Sequence, residues 1–139
     1  MKLKTLTFKE IKVNISQSRY PIKDKEHCKS LFQYNLGQIL VKIYKNYPIL
    51  EEFYIPQENL YLDFFIPGRM IAFEAQGEQH EKYNSFFYKE KFQFEKAKRR
   101  DVKKQEWCNL NSIRLVQVPY DKITIQGIKT LIEKEVFGA

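Results

Sequence analysis

The sequence predicts an α/β fold in which a central mixed β-sheet is flanked by helices. Apolar residues recur at helical spacing before Pro48, and continuous or alternating apolar runs follow it. Two of these runs, Leu60–Ile66 and residues 70–75, are separated by the turn signal Pro67-Gly68. They are therefore predicted to pair as an antiparallel hairpin. The expected core order is helix, three antiparallel strands, helix and strand.

The chain is predicted to be a single domain, with an N-terminal arm at residues 1–25 and a core at residues 26–137. The arm carries enough apolar residues for one or two short strands. Residues 26–46 are predicted to be a helix, with Asp24 as its N-cap. Gly37 inside this helix indicates close approach by the sheet or by a ligand.

The remaining elements follow from their apolar spacing and turn signals. Residues 49–55 are predicted to be a strand, with a turn at residues 56–59. A second helix is expected from about residue 89 to residue 107, and a strand at residues 113–118. The segment 123–137 is predicted to be a final amphipathic helix that covers the sheet.

The charge of the chain favours a polyanionic partner. Its 139 residues carry a net charge of +7, which favours nucleic acid over a membrane surface, with a generally soluble basic protein as the alternative. No apolar run approaches the ~20 residues of a membrane-spanning helix. The two cysteines, Cys28 and Cys108, lie far apart in sequence, which argues against a structural zinc site and for reduced thiols in an intracellular protein.

The most basic stretch is residues 82–104, with nine Lys or Arg and three acids. A basic helix beside a carboxylate site suits binding to a phosphate backbone, whereas a solvated helix face is the alternative. Arg114, at the start of the following strand, is a further candidate phosphate contact. The densest positions are Lys96, Lys98, Arg99, Arg100, Lys103 and Lys104.

Two carboxylates interrupt the apolar strands of the predicted hairpin. Asp63 lies in the first strand and Glu74 in the second. A charge inside an apolar strand costs several kcal/mol unless it is paired or binds a metal. The two residues therefore predict a divalent-metal site.

The hairpin register decides whether these carboxylates meet. A two-residue loop at Pro67-Gly68 would place Ile66 opposite Arg69. Counting along the strands then places Asp63 opposite Ala72, with Glu74 as its diagonal neighbour on the same face. Their Cβ atoms would lie ~7–8 Å apart. A three-residue loop would instead move Asp63 to the other face.

The string DFFIPGRMIAFEAQGEQH, from Asp63 to His80, resembles the PD-(D/E)XK nuclease superfamily. Within that superfamily it is similar to the very-short-patch-repair-like branch, in which an Asp-Phe strand precedes a strand that ends Glu-x-(acid or amide)-Gly-x-x-His. The resemblance covers most of the chain, from about Ser30 to Asp121. The superfamily's usual Lys is Gln76 here, a known variant.

The resemblance implies a restriction-endonuclease-like core and a metal-dependent DNA endonuclease that hydrolyses phosphodiester bonds. Asp63 and Glu74 would bind Mg²⁺, with Mn²⁺ as a substitute, and the backbone carbonyl of Ala75 would be a further ligand. The branch includes bacterial and phage nucleases. The expected location is therefore the cytoplasm of a bacterial cell, with a phage as the other expected source.

Five further residues are assigned roles around this site. Gln76 would orient water or the phosphate, because it cannot carry charge. His80 would act as a general base, a leaving-group acid or a phosphate contact, with Gln79 hydrogen bonding beside it. Gln33 and Asp101 are supporting candidates from the two helices. A partly buried polar residue and a structural salt bridge are their respective alternatives.

Two other function classes remain open from the sequence. A nucleic-acid-binding protein on a nuclease-like fold that does not cut would also account for Gln76 and the basic helix. A metal-dependent enzyme acting on a small substrate is less favoured, because Gly77 stands alone and forms no phosphate-binding glycine-rich loop. DNA is the expected partner, and a homodimer or a larger assembly is left open.

Overall fold

The computed structural model describes residues 1–76 and 88–137, and these form a mixed α/β fold. Within the described residues there are three α-helices, a four-stranded sheet and a two-stranded hairpin. The predicted mixed sheet with flanking helices is therefore confirmed. The helices are α1 (Leu31–Ile43), α2 (Tyr88–Leu110) and α3 (Ile125–Phe137). The strands are β1 (Lys2–Lys4), β2 (Glu10–Lys12), β3 (Leu50–Ile55), β4 (Leu60–Ile66), β5 (Ile71–Gln76) and β6 (Arg114–Pro119).

The main sheet has the strand order β3-β4-β5-β6. The first three strands are antiparallel and are joined by short turns, as the sequence predicts. Strand β6 pairs with β5 in parallel, because α2 carries the chain back across the sheet before β6 begins. This order places β4 and β5, which carry the two strand carboxylates, at the centre of the sheet.

Apolar side chains pack on both faces of the sheet, so the molecule has three layers. One face packs against the C-terminal part of α2, where Trp107 and Cys108 are fully buried, and against Leu3 of the β1–β2 hairpin. The opposite face packs against α1 and α3, through residues such as Leu36 and Ile128. Among the described helices, none is long and apolar enough to span a membrane.

Helix α1 is shorter than the predicted 26–46 segment. Its N-cap is Ser30, whose hydroxyl accepts a hydrogen bond from the Gln33 amide at 3.1 Å. The predicted cap, Asp24, instead hydrogen bonds to His27 in a separate turn. Gly37 does admit close approach by the sheet, since a Cβ there would lie 3.0 Å from a ring atom of Phe64.

The N-terminal arm is docked onto the domain. Its two short strands form the β1–β2 hairpin, and Leu3 between them is buried. The Leu6 amide donates to Glu58 Oε2 at 2.6 Å, and the Lys4 amide donates to Asn111 Oδ1 at 2.7 Å. The arm thus contacts both the β3–β4 turn and the end of α2.

The predicted two-residue hairpin loop is wrong. Pro67–Arg69 form a single 3₁₀ turn, which Met70 closes in the left-handed conformation with φ 48°. Ile66 therefore pairs with Ile71 rather than with Arg69. Because this register differs from the predicted one by two residues, the two carboxylates still share a face.

Candidate active site

Asp63 and Glu74 lie directly across from each other on β4 and β5. The observed pairs Phe65–Ala72 and Phe64–Phe73 bring these two residues opposite one another, closer than the predicted diagonal arrangement. Each side chain binds the backbone of the other strand. The Asp63 amide donates to Glu74 Oε2 at 2.6 Å, and the Ala75 amide donates to Asp63 Oδ2 at 2.9 Å.

Lys104 of α2 forms an ion pair with Glu74 Oε1. Both side chains are largely buried, with 13% and 10% of their surface exposed. The ion pair is positioned by packing one turn further along the helix, where Trp107 and Cys108 are fully buried against the same face of the sheet. A cationic group therefore lies beside the carboxylates although position 76 is a glutamine.

The two carboxylates are costly to ionise together. Burial, and secondly the charge of Asp63, raises the pKa of Glu74 to about 7, with Lys104 opposing the rise. Burial likewise raises the pKa of Asp63, opposed by the Ala75 amide and by Lys104 and Lys29. The pKa of Lys104 is also raised, because the charges of Glu74 and Asp63 outweigh the effect of its burial. One lysine thus incompletely neutralises the pair.

A third carboxylate, Glu52 of β3, lies beside Asp63 on the other side. It is at left-handed φ 56°, and its charge contributes to the raised pKa of Asp63. Lys29 pairs with Glu52 at 3.3 Å. Gln33 of α1 donates to Glu52 Oε1 at 3.0 Å and to Glu51 Oε2 at 2.8 Å. Gln33 therefore faces the β3 carboxylates rather than Asp63 and Glu74.

A cavity of ≈ 680 Å³ opens above Asp63. It lies between α2 and the end of the β3–β4 hairpin, with Lys29 also on its wall. In the part of the chain that the structure describes, Lys96, Arg99 and Arg100 form no ion pair. Cations without an ion-pair partner suit a polyanionic ligand, because they are available to its phosphates. The basic residues that line the cavity are Lys29, Lys96, Arg99, Arg100, Lys103 and Lys104.

The donor set fits a hard divalent cation. Asp63 Oδ1 has no hydrogen-bond partner among the described residues, whereas its Oδ2 accepts the Ala75 amide. Within residues 1–76 and 88–137 no group of three or more His, Cys, Asp or Glu side chains is arranged to hold a metal. Two protein carboxylates, completed by water and phosphate oxygens, are the coordination typical of Mg²⁺.

The other predicted residues lie in several different places. Gln76 is half-buried at the end of β5, two residues beyond Glu74. Gln79 and His80 lie outside the described residues. Asp101 is expected on the inward stripe of α2, but it is exposed, because only the last turns of the helix pack on the sheet. Its negative charge still contributes to the raised pKa of Lys104. Arg114 pairs with Ile71 at the opposite end of β5, ~10 Å along the strand from Glu74.

Sequence reasoning did not find three features of this site: the Lys104–Glu74 ion pair, the place of Glu52, and its partner Lys29. Membership of a basic run predicts a DNA-binding role for Lys104. The nearby apolar pair Trp107-Cys108 is the signal that this end of the helix packs inward. The sequence contains no comparable signal for Glu52, since the position of its side chain depends on the left-handed backbone conformation of this residue within β3.

Comparisons with known proteins give distant relatives only. The chain is 35% identical over 74 residues to "Uncharacterized protein 307L" of Invertebrate iridescent virus 6, covering 53% of this chain. It is 35% identical over 66 residues to "Uncharacterized protein 033L" of Invertebrate iridescent virus 3, covering 48% of this chain. The matched segments span 36% and 34% of the relatives. No family model and no solved structure matches. Both relatives come from invertebrate iridescent viruses, whereas the sequence resemblance led to the expectation of a bacterial or phage source.

Proposed function

We propose that this protein is a metal-dependent endodeoxyribonuclease of the PD-(D/E)XK type, with Asp63 and Glu74 as the metal-binding carboxylates. The observation that carries the proposal is their direct juxtaposition on adjacent central strands, beside Lys104 and beneath a cation-lined cavity. Buried carboxylates that contact one another serve packing poorly, because each raises the cost of ionising the other.

The order of elements supports the same proposal. The core runs α1, β3, β4, β5, α2, β6, with the Asp on the second of these strands and the Glu on the third. This is the arrangement expected for a restriction-endonuclease-like core, given the Asp-to-His string that resembles the very-short-patch-repair-like branch. The parallel pairing of β5 with β6 also agrees with that expectation.

Each group of site residues would have a different role in phosphodiester hydrolysis. Asp63 and Glu74 would hold Mg²⁺ or Mn²⁺, with the Ala75 carbonyl as a further ligand; the ion would supply Lewis-acid stabilisation of the phosphate charge. Lys104 supplies the cationic group that Gln76 does not, next to the Glu74 carboxylate. The cations of α2 bind the flanking phosphates and hold the strand over Asp63.

Cleavage of plasmid, single-stranded and branched DNA in Mg²⁺, Mn²⁺ or EDTA tests this proposal. The wild-type protein should cut with either metal and not in EDTA. Asp63→Asn and Glu74→Gln should fold, bind DNA and lose cleavage by about 1,000-fold or more, because each removes a metal-binding carboxylate. Glu10→Gln, on the exposed surface of β2, is the matched control and should cut normally.

Cleavage by Asp63→Asn and Glu74→Gln at the wild-type rate would place the site elsewhere. A second candidate function is a nucleic-acid-binding protein that does not cut. It is favoured by one observation: both oxygens of Glu74 are already engaged, by the Asp63 amide and by Lys104. DNA binding by the wild type without cleavage in any metal would establish this second function.

A further inference from the structure

The cation-lined cavity also contains two exposed aromatic rings, which phosphate binding does not require. Tyr61 of β4 is 45% exposed and Phe92 of α2 is 54% exposed, and both line the cavity that contains Asp63. An aromatic ring left in water contributes little to folding stability. Two rings on the wall of one basic cavity are therefore better explained by a ligand with flat faces.

Tyr61 is held in place before any ligand arrives. Its ring packs against Tyr54, its cross-strand neighbour, with ring centroids 4.4 Å apart and planes at 31°. The hydroxyl of Tyr54 in turn donates to Asn59 Oδ1 at 3.1 Å. Lys29 lies 5.9 Å from the Tyr61 ring centroid and also lines the cavity. This fixed ring is thus accompanied by a cation, Lys29, which also pairs with Glu52.

Phe92 belongs to the same stripe of α2 as the cations. Residues 92, 96, 99 and 103 recur every three or four positions, so they share one helical face, and all four line the cavity. Lys104, next to the end of this stripe, lies ~18 Å along the helix axis from Phe92 at 1.5 Å per residue. That length spans several nucleotides at the ~3.4 Å spacing of stacked bases. A strand whose phosphate lies near Lys104 would reach Phe92 within a few nucleotides.

The combination of exposed aromatic rings and cations in one cavity favours unpaired DNA over paired DNA as the ligand. In an intact duplex the bases are stacked inside and only phosphates face a basic surface. Aromatic side chains interleaved with cations are instead the usual means of binding unpaired bases, which stack on the rings. We propose that the cavity binds a DNA strand with unpaired nucleotides, stacked on Phe92 and Tyr61, so that the substrate is single-stranded, gapped or flapped DNA. This substrate class rests on the proposed nuclease function.

Binding measured in EDTA tests the inference without requiring cleavage. Fluorescence anisotropy would compare a single-stranded oligonucleotide, a blunt duplex of equal length and a duplex with a three-nucleotide gap, and 2-aminopurine in the gap would report stacking. The wild type should bind the unpaired ligands at least tenfold more tightly than the duplex and change the 2-aminopurine emission. Phe92→Leu and Tyr61→Leu should each weaken binding to unpaired DNA about tenfold.

The controls separate stacking from charge and from folding. Tyr120→Leu alters an aromatic residue that is 63% exposed outside the cavity, and it should leave binding unchanged. Phe92→Leu and Tyr61→Leu should keep the wild-type salt dependence, because neither side chain neutralises a phosphate, whereas Arg99→Gln should lower it. Thermal unfolding would verify that each variant is folded.

Two results would overturn the inference. One is equal or tighter binding of the blunt duplex, and the other is unchanged binding of unpaired DNA by both folded aromatic variants. Either result leaves the nuclease proposal standing if Asp63→Asn abolishes cutting of the duplex. Conversely, stacking in EDTA together with no metal-dependent cleavage would reject the nuclease and retain the binding site.

Discussion

Two groups of carboxylates on the same sheet differ in how completely they are hydrogen bonded. Glu51 on β3 is 1% exposed, yet its carboxylate accepts hydrogen bonds from the Lys23 amide, from Gln33 Nε2 and from the Cys28 thiol. Burial and the charge of Glu51 raise the pKa of Cys28 to about 11, so the thiol stays protonated and donates. Asp63 and Glu74, on the next two strands of the same sheet, face one another with a single lysine.

The difference separates a structural acid from a candidate functional one. The donors around Glu51 come from the chain before α1 and from α1 itself, so this carboxylate fastens both to the sheet. The donors around Asp63 and Glu74 are few, and the pair opens onto a basic cavity. An incompletely neutralised pair of carboxylates beside an opening suits a cation, whereas a fully hydrogen-bonded one suits the core.

The same substitution should therefore have opposite consequences at the two positions. Glu51→Gln should lower the free energy of unfolding by about 3 kcal/mol, because an amide group replaces an acceptor that faces donors. Glu74→Gln should instead raise it, by up to about 3 kcal/mol at pH 8, since a neutral amide replaces a carboxylate whose pKa of about 7 makes its ionised form costly in the folded protein. Urea denaturation at pH 8 in EDTA measures both values. Equal destabilisation by the two variants would contradict the distinction.

The pH dependence of stability should report the carboxylate pair in metal-free buffer. The pKa of Glu74 rises from its ordinary value of 4.5 to about 7 on folding, so the folded protein binds the additional proton. The resulting stability is fully present below pH 4.5 and is lost as the pH rises through about 7. Unfolding free energy in EDTA should fall by up to about 3 kcal/mol from pH 5 to pH 8.

Glu74→Gln is the control for this pH dependence, because it removes the titrating group and should flatten the profile. Addition of Mg²⁺ at pH 8 should stabilise the wild type, since an ion bound only by the folded protein shifts the unfolding equilibrium. An unfolding free energy that rises between pH 5 and pH 8 in EDTA would show that the pair is not destabilised by its own charge.

Lys104 is the residue that links the carboxylate pair to the basic helix. Lys104→Gln should slow metal-dependent cleavage about 100-fold, as expected when a positioned donor to developing charge is removed. DNA binding in EDTA should change little compared with variants of the exposed cations, because Lys104 is largely buried against Glu74. Rates of nicking and anisotropy on the same substrate measure the two effects. A loss of binding equal to the loss of cleavage would make Lys104 an ordinary phosphate-binding residue.

Much of the fold could be predicted from the sequence because apolar periodicity reports burial directly. The predicted bounds of β4 agree with the observed ones, and those of β3 differ by one residue at its start. Helix bounds are less accurate, since the cap at Ser30 depends on which of several polar residues meets the Gln33 amide. The hairpin register failed because the Pro67 turn is closed by Met70 at positive φ, a conformation that is uncommon outside glycine.

The sequence predicts which strand residues belong to the candidate site, but not which residue of the packed helix α2 contacts them. Alternation and an apolar context predict that Asp63 and Glu74 come together, and in the structure each side chain accepts a hydrogen bond from the backbone of the other strand. The choice of Lys104 over Lys103 or Arg100 as the partner of Glu74 depends on the rotation of α2 about its axis. The net charge of the helix gives no information on that rotation, and the buried Trp107, which does, lies outside the basic run.

Four cations of α2 that line the cavity, in addition to Lys104, should account for most of the affinity for DNA. Replacing Lys96, Arg99, Arg100 and Lys103 by Gln should weaken binding by about 10- to 100-fold near 0.1 M salt. It should also lower the slope of log affinity against log salt by about 0.9 for each phosphate that is no longer neutralised. The matched control removes the same charge elsewhere, at four exposed lysines of the β1–β2 hairpin: Lys2, Lys4, Lys9 and Lys12. Similar slopes for the two quadruple variants would show that only net charge matters.

The smallest effect is expected at Gln76, which under the proposed function would stand where the resembled superfamily usually has a lysine. Its side chain forms no hydrogen bond to Asp63 or Glu74 among the described residues, and the cationic group nearby comes from α2 instead. Gln76→Ala should therefore slow cleavage by less than about tenfold, corresponding to ~1.4 kcal/mol. Gln76→Lys should retain activity, and in the Lys104→Gln background it should restore part of the cleavage rate by returning a cation to the end of β5. Nicking rates of the two single variants and the double variant, at equal folded concentration with Mg²⁺, measure this exchange. A Gln76→Lys change that slows the Lys104→Gln variant further would mean that the two positions do not serve the same phosphate, and Lys104 would then act only through Glu74.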